Sequence, residues 1–142
     1  EQGAQPPQTF QALYHQDSFA KIQLWSRLLQ SMQLLDQDRL AMIEVQSEDF
    51  KITQSCYEDL DELVQQPMRI PTVEVSALLT DLGDGWTKIS LRSRERVDVH
   101  KVCQIFNGGG HRLASGAKVQ RPLDQIRRDL TSAIAAQLNY HN

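Results

Sequence analysis

The sequence predicts an α/β (α+β) fold: a mixed central sheet with helices packed on it, preceded by one further helix at the N-terminal side. Three observations carry that expectation. Helical periodicity marks both ends of the chain, two-residue alternation runs through a glycine-bearing hairpin in the middle, and three consecutive glycines separate a short helix from a strand. A length of 142 residues suits one domain with a real core, or one domain with a helical lead-in. The 40% hydrophobic and 23% charged content is that of a soluble globular protein. No apolar run approaches the roughly 18 residues that cross a bilayer, so no membrane partner is expected.

The elements follow in order. Residues 1–17 read as a flexible polar linker, and Glu1 to Gln8 bear no signal-peptide pattern. From Ser18 to about Leu35, Phe19, Ile22, Leu24, Trp25, Leu28, Leu29, Met32 and Leu35 recur at helical spacing, with Asp17 or Ser18 as the cap. So wide a stripe must pack on the following domain or on a part of the protein outside this chain. Arg39–Gln46 reads as a strand, and Ser47–Phe50 as a turn or a short helical start. Tyr57–Val64 reads as an acidic helix ended by Pro67, its carboxylates in the first turn where the helix dipole favours them. A metal site built from Glu58, Asp59, Asp61 and Glu62 is disfavoured, because consecutive helical residues point different ways. Thr72–Asp81 and Trp86–Ser93 form an antiparallel hairpin about Gly83-Asp84-Gly85, with Trp86, Lys88, Ser90 and Arg92 on one face. Val97–Phe106 is a short helix capped by Asp98, with Val99, Val102, Cys103 and Phe106 buried. Ala114–Gln120 is a strand. Pro122 opens a last helix to about Leu138 whose apolar face is Leu123, Ile126, Leu130, Ile134 and Leu138.

Charge divides the chain. Residues 1–85 hold 5 Lys/Arg against 14 Asp/Glu, and residues 86–142 hold 10 against 4, for a net charge of −3. The basic half contains the glycine run and draws anionic ligands, whereas overall acidity argues against a general duplex-DNA binder. Cys56 and Cys103 give no disulfide framework and no zinc pattern, so a reducing cytoplasm is expected.

The chemistry concentrates in Phe106-Asn107-Gly108-Gly109-Gly110-His111-Arg112-Leu113-Ala114-Ser115-Gly116-Ala117. Consecutive glycines permit positive φ and close approach, so their amides can converge on an anion. A tight structural bend would use the same residues. His111 adds a switchable donor, Arg112 fixed positive charge, and Asn107 tolerates the left-handed region. The small residues from Ala114 to Ala117 let backbone pack behind the loop. Arg92, ending a strand, offers a planar fork to phosphate or carboxylate at the same sheet edge. Trp86, on the face of Arg92, either stacks a base or belongs to the core.

Leu91-Arg92-Ser93, Val97-Asp98-Val99-His100-Lys101-Val102 and the glycine segment together closely resemble the C-terminal, DHH-associated domain of the DHH phosphoesterases. Within that superfamily they are most similar to the nanoRNase and pAp (phosphoadenosine phosphate) phosphatase branch, where a Gly-Gly-Gly-His loop precedes Ala-Ser-Gly-Ala. The resemblance spans roughly residues 38–140. It implies that 38–142 is the DHH-associated domain and that 18–36 is the connector helix between two domains. It also implies that Arg92 and Ser93 bind substrate phosphate or nucleotide, that Gly108, Gly109 and Gly110 supply amides, and that His111 contacts the phosphate near the scissile bond. Asn107 stands where many relatives carry another glycine.

In such enzymes the N-terminal DHH domain holds manganese and cuts. This chain has no Asp-His-His, its four histidines (His15, His100, His111, His141) are scattered, and Asp98 suits a helix cap better than a metal ligand. The chain is therefore expected to bind and not cut, with no catalytic residue, metal ligand or cofactor of its own. Its expected partners are short single-stranded RNA or a phosphorylated nucleotide, and the DHH catalytic domain. Starting just ahead of an orphan connector helix is expected of a piece of a longer protein. Two alternatives stand beside this reading. One is the substrate domain of a cyclic-dinucleotide phosphodiesterase. The other is an interaction module, a homodimer included, in which the glycine loop is structural and the 18–35 stripe covers a second subunit.

Overall fold

A computed structural model describes residues 18–140, so the expected linker at 1–17 lies outside the described residues, as do His15 and His141. The elements are α1 (Phe19–Gln30), β1 (Gln33–Leu35), β2 (Leu40–Val45), α2 (Ser47–Thr53), 3₁₀ turns at Tyr57–Leu60 and Leu63–Arg69, β3 (Val75–Gly83), β4 (Trp86–Ser93), α3 (Val99–Gln104), β5 (Gly109–His111), β6 (Ala114–Val119) and α4 (Leu123–Tyr140). The expected mixed α/β sheet is present: six strands in the order β1-β2-β3-β4-β6-β5. Among the described strands only β2 and β3 pair in parallel, joined by the crossover through α2 and the 3₁₀ turns.

Local chemistry sets most boundaries. Ser18 caps α1, its Oγ accepting from the Lys21 amide at 3.0 Å. The helix expected to run to Leu35 stops at Gln30, because the Ser31 hydroxyl donates to the Leu28 carbonyl at 2.9 Å and ends the ladder. Gln33–Leu35 then forms an edge strand, returned to β2 by Asp36, Gln37 and Asp38 at φ 53°, 60° and 64°. The acidic helix expected at 57–64 is instead two 3₁₀ turns, separated where Glu62 adopts φ 68°. Pro67 lies inside the second turn and is buried. Breaking the segment there lets Leu60, Leu63 and Val64 all reach the core. Asp84 and Gly85, at φ 55° and 83°, make the two-residue turn that matches the twist of β3 and β4. Asp98 caps α3, its Oδ1 accepting from the Lys101 amide at 3.1 Å.

The sheet separates two cores. One face carries Val75, Ala77, Leu79, Ile89 and Leu91 under Val99, Val102 and Cys103 of α3 and the full apolar stripe of α4. On the other face Ile43, Val45 and Leu78 lie under Leu24 and Leu28 of α1 and under Leu60, Leu63 and Val64. The α1 stripe therefore packs on its own domain, with Phe19 76% and Ile22 53% exposed on its outer side. The Trp25 indole N–H ties α1 to the first 3₁₀ turn, donating to the Asp59 carbonyl at 2.7 Å. This second layer covers β2 and β3, and its second 3₁₀ turn reaches β4. Among the described elements no α-helix lies on the β4-β6-β5 half of that face.

Candidate functional site

Alternation along β4 buries Thr87, Ile89, Leu91 and Ser93 and leaves Trp86, Lys88, Ser90 and Arg92 half-buried on the other face. Register then aligns three strands: Arg92 opposes Ala114, which opposes His111. Arg92, the start of β6 and the end of the glycine run thus share one row at the open end of the sheet.

A groove of about 340 Å³ borders this row, between the 3₁₀ segment and the sheet. Leu78, Thr80, Ser90 and Arg92 supply its sheet side, and Glu58, Asp61 and Glu62 stand along the segment opposite. Arg92 Nη1 donates to the Leu91 carbonyl at 2.9 Å, and among the described residues its guanidinium forms no ion pair. A charged fork with most of its donors uncommitted, next to a solvent-open groove, is suited to binding an anion.

The glycine run has a different local logic from the one expected. Gly109–His111 is a strand, the sheet's edge, and of the three glycines only Gly110 has positive φ, at 143°. Asn107, at φ 63°, is the left-handed residue that closes α3: its amide donates to the Gln104 carbonyl at 3.1 Å and the Gly108 amide to the Cys103 carbonyl at 2.8 Å. That is a Schellman closure, in which asparagine does what glycine usually does. The Gly108 amide is therefore committed to the helix end rather than turned to a ligand.

Close approach explains two of the glycines. A Cβ on Gly108 would collide with the Gly116 carbonyl oxygen and Ala117 Cβ, and would lie 2.8 Å from Ala117 Cα. A Cβ on Gly110 would lie 2.6 Å from the Ala114 oxygen and 2.7 Å from Ser115 Cα. At Gly109 the nearest atom is His100 Nε2 at 3.7 Å, an ordinary contact, so nothing in the packing demands glycine there. The small Ala114–Ala117 segment serves as expected, letting the loop lie against β6.

The remaining expected site residues divide. His111 is exposed at the edge, its carbonyl held by the buried Ser115 hydroxyl at 2.6 Å. Arg112 is exposed and donates to the Glu95 carbonyl at 2.9 Å, which anchors the β4–α3 connection. Ser93 falls on the core side, 7% exposed, with its Oγ unpartnered among the described residues. The structure therefore brings Arg92, Gly109, Gly110 and His111 to one end of the sheet and turns the Ser93 hydroxyl away from Arg92. Arg94, which sequence reasoning passed over, donates to the carbonyls of Met68, Ile70 and Val73 at 2.6, 3.2 and 3.0 Å and fixes the 3₁₀ segment to the end of β4. Trp86 is half-buried, with Lys118 Nζ 5.5 Å from its ring centroid.

Among the described residues no three Asp, Glu, His or Cys side chains converge to hold a metal ion. Among the same residues no helix is long and apolar enough to cross a membrane. Of the free cysteines, Cys56 is exposed with its thiol held protonated above the ordinary range by Asp59, and Cys103 is pushed up to about 11 by burial.

Comparison with known proteins is consistent with this geometry. The DHHA1 domain matches residues 53–138, more than half of the chain. A probable bifunctional oligoribonuclease and PAP phosphatase NrnA of Streptococcus mutans is 42% identical over 55 residues, covering 39% of this chain and 17% of that protein. Among solved structures, an exopolyphosphatase-related protein from Bacteroides fragilis superposes with a TM-score of 0.82 at 23% identity, covering 94% of this chain and 39% of that one. A pGpG-specific phosphodiesterase, PggH, from Vibrio cholerae superposes at 0.57 and 12% identity, over 87% of this chain and 40% of that one. These last two likenesses are of fold. The chain spans well under half the length of each of these relatives.

Proposed function

Because the chain belongs to the DHHA1 domain family, the DHH-associated domain of the DHH phosphoesterase superfamily, we propose that it grips the substrate of a phosphoesterase that cleaves short oligoribonucleotides or 3′,5′-bisphosphorylated nucleotides. The observation that carries this reading is the row Arg92–Ala114–His111, which sets a guanidinium with most of its donors uncommitted level with an exposed imidazole at the glycine edge. In this reading Arg92 takes a phosphate through its fork, His111 donates a second hydrogen bond, and Gly109 and Gly110 let the phosphate approach backbone closely. Arg112 adds positive charge beside them. Asn107, Gly108 and Ser93 hold the shape of this end of the sheet. Hydrolysis, and the manganese that supports it, belong to a DHH domain that faces this surface in a reducing cytoplasm. A linear pGpG is chemically one of these substrates, a 5′-phosphorylated dinucleotide, so it is a natural second probe.

The test is a titration of the chain with a 5′-phosphorylated diribonucleotide at low salt, without and with manganese. Weak, salt-sensitive binding indifferent to manganese is expected. Absence of binding both here and in a protein extended to include a DHH domain would overturn the reading.

A further inference from the structure

Beyond the row of Arg92, the open face holds a charge arrangement that folding does not explain. Lys88 of β4 and Lys118 of β6 are direct cross-strand partners. Side chains so paired sit on one face with Cβ atoms about 5 Å apart, and like charges there destabilise a sheet. Among the described residues neither ammonium forms an ion pair. Lys118 is held over Trp86, and Lys88 leans the other way: a Cβ built on Gly116 would lie 3.7 Å from Lys88 Nζ. Gly116 opposes Ser90, so the Lys88 ammonium reaches back toward Arg92 over a floor that has no side chain. Thr80, opposite Lys88 on β3 and 2% exposed, lines the groove.

We infer that Arg92, Lys88 and Lys118 form a track for successive phosphates of a single-stranded oligoribonucleotide, running along β4 and β6 from the glycine edge toward Trp86. The inference rests on the phosphate site proposed at Arg92 and gives it a direction and a length preference. Arg92 and the Lys88–Lys118 pair are four residues apart on β4, about 13 Å along the backbone at the rise of a strand. Lys118, held over Trp86, marks the far end of that span, and the Lys88 ammonium, reaching back over Gly116, stands between the two ends. Glu58, Asp61 and Glu62 stand on the far side of the groove and repel a polyanion, which keeps the strand over β6 rather than under the 3₁₀ turns. At the far end Trp86 offers ring surface to a base. A nucleotide bisphosphate would use only the Arg92 end. An oligonucleotide of several residues would use the whole track.

The test measures binding of 5′-phosphorylated oligoribonucleotides of two and five nucleotides to the whole chain over a range of salt, for the wild type, Lys88→Gln, Lys118→Gln and Arg92→Lys. The longer ligand should bind more tightly and with a steeper salt dependence. Lys118→Gln should weaken the longer ligand, lower its log–log salt slope by about 0.7, and leave the dinucleotide unchanged. Lys88→Gln should lower that slope by a similar amount. Circular dichroism and urea midpoints report whether the variants fold. If both lengths bind the wild type equally, the track is wrong and the Arg92 site stands. If Arg92→Lys leaves both ligands at wild-type affinity, the Arg92 site is wrong and the track that starts from it falls with it. If Arg92→Lys weakens both ligands while neither lysine variant changes the longer one, the track is wrong and the Arg92 site stands. If neither ligand binds, both are wrong.

Discussion

The glycine run yields a prediction that separates folding from binding residue by residue. In Gly108→Ala the new methyl meets the Gly116 carbonyl and the Ala117 side chain, which are backbone and a core methyl, and neither can swing aside. Overpacking of that kind costs about 1–3 kcal/mol, reduced by about 0.4–1 kcal/mol because alanine restricts the unfolded chain. Gly110→Ala has contacts at 2.6 and 2.7 Å and in addition places a side chain at φ 143°. Backbone strain there adds about 1–3 kcal/mol, for a net loss of about 1–5.5 kcal/mol after the same unfolded-state gain. Gly109→Ala meets only the His100 ring at 3.7 Å, so only the unfolded-state gain applies. It should equal or exceed the wild type by up to about 1 kcal/mol.

Urea unfolding measures all three. With a slope of about 1–3 kcal/mol/M, a 3 kcal/mol loss moves the midpoint by about 1–3 M, well outside error. Midpoints for Gly108→Ala and Gly110→Ala equal to wild type, or a Gly109→Ala midpoint as low as theirs, would refute the packing argument. Gly109→Ala then carries the functional question alone, since it alters the exposed edge without harming the fold. It should weaken binding of a phosphorylated dinucleotide. Unchanged affinity would show that the ligand does not approach the backbone there.

Three further outcomes follow from particular side chains. His111→Ala should weaken phosphate binding by about 1.5–3 kcal/mol through loss of one charge-assisted hydrogen bond, and Arg92→Lys should weaken it because an ammonium cannot present the fork; calorimetric titration measures both, and wild-type affinity in either would remove that residue from the site. Arg94→Ala leaves the carbonyls of Met68, Ile70 and Val73 without their donor, so urea unfolding should show a loss of about 1–3 kcal/mol, and a smaller loss would mean that water replaces the guanidinium. The Cys103 thiol, raised from 9.0 to about 11, favours folding fully below its unfolded value, and that contribution is lost as pH rises through the folded one. Between pH 8 and 10.5 the wild type should therefore lose about 2 kcal/mol more than Cys103→Val, a difference read from urea midpoints at the two pH values.

What the sequence discloses is what depends on near neighbours. The Trp86–Ser93 alternation, the Asp98 cap and the five-residue stripe of α4 each follow from spacing along the chain, and each is present. Strand β1 is not legible because Met32 and Leu35 continue the helical spacing of α1, and its return turn uses three left-handed residues with no glycine among them. The 3₁₀ break at Glu62 is hidden for a similar reason: its cause is the need to bury Leu60, Leu63 and Val64 together, a tertiary demand. At the site, the residue types are legible and their relations are not. Arg92 and the glycines announce anion chemistry, but register alone reveals that His111 shares the Arg92 row and that two lysines oppose each other. The glycines themselves read as left-handed loop residues and prove to be mostly a matter of close packing.

The charge division of the chain acquires a spatial meaning in this fold. The acidic N-terminal half supplies β1 to β3 and the layer that covers β2 and β3, while the basic C-terminal half supplies β4 to β6 and α4. The sheet face is therefore sealed where the chain is acidic and open where it is basic. Glu58, Asp61 and Glu62 mark the seam, directly across the groove from Arg92. A stabilising seam would be expected to bring Arg92 into an ion pair with one of them, yet among the described residues none forms. The carboxylates instead act at a distance: they repel phosphate and attract the amino edges of bases, while the floor does the reverse. On the proposed reading, a nucleotide held by Arg92 would be oriented by this field, with its phosphates toward β6 and its base toward the 3₁₀ segment, before any contact specific to one base is made.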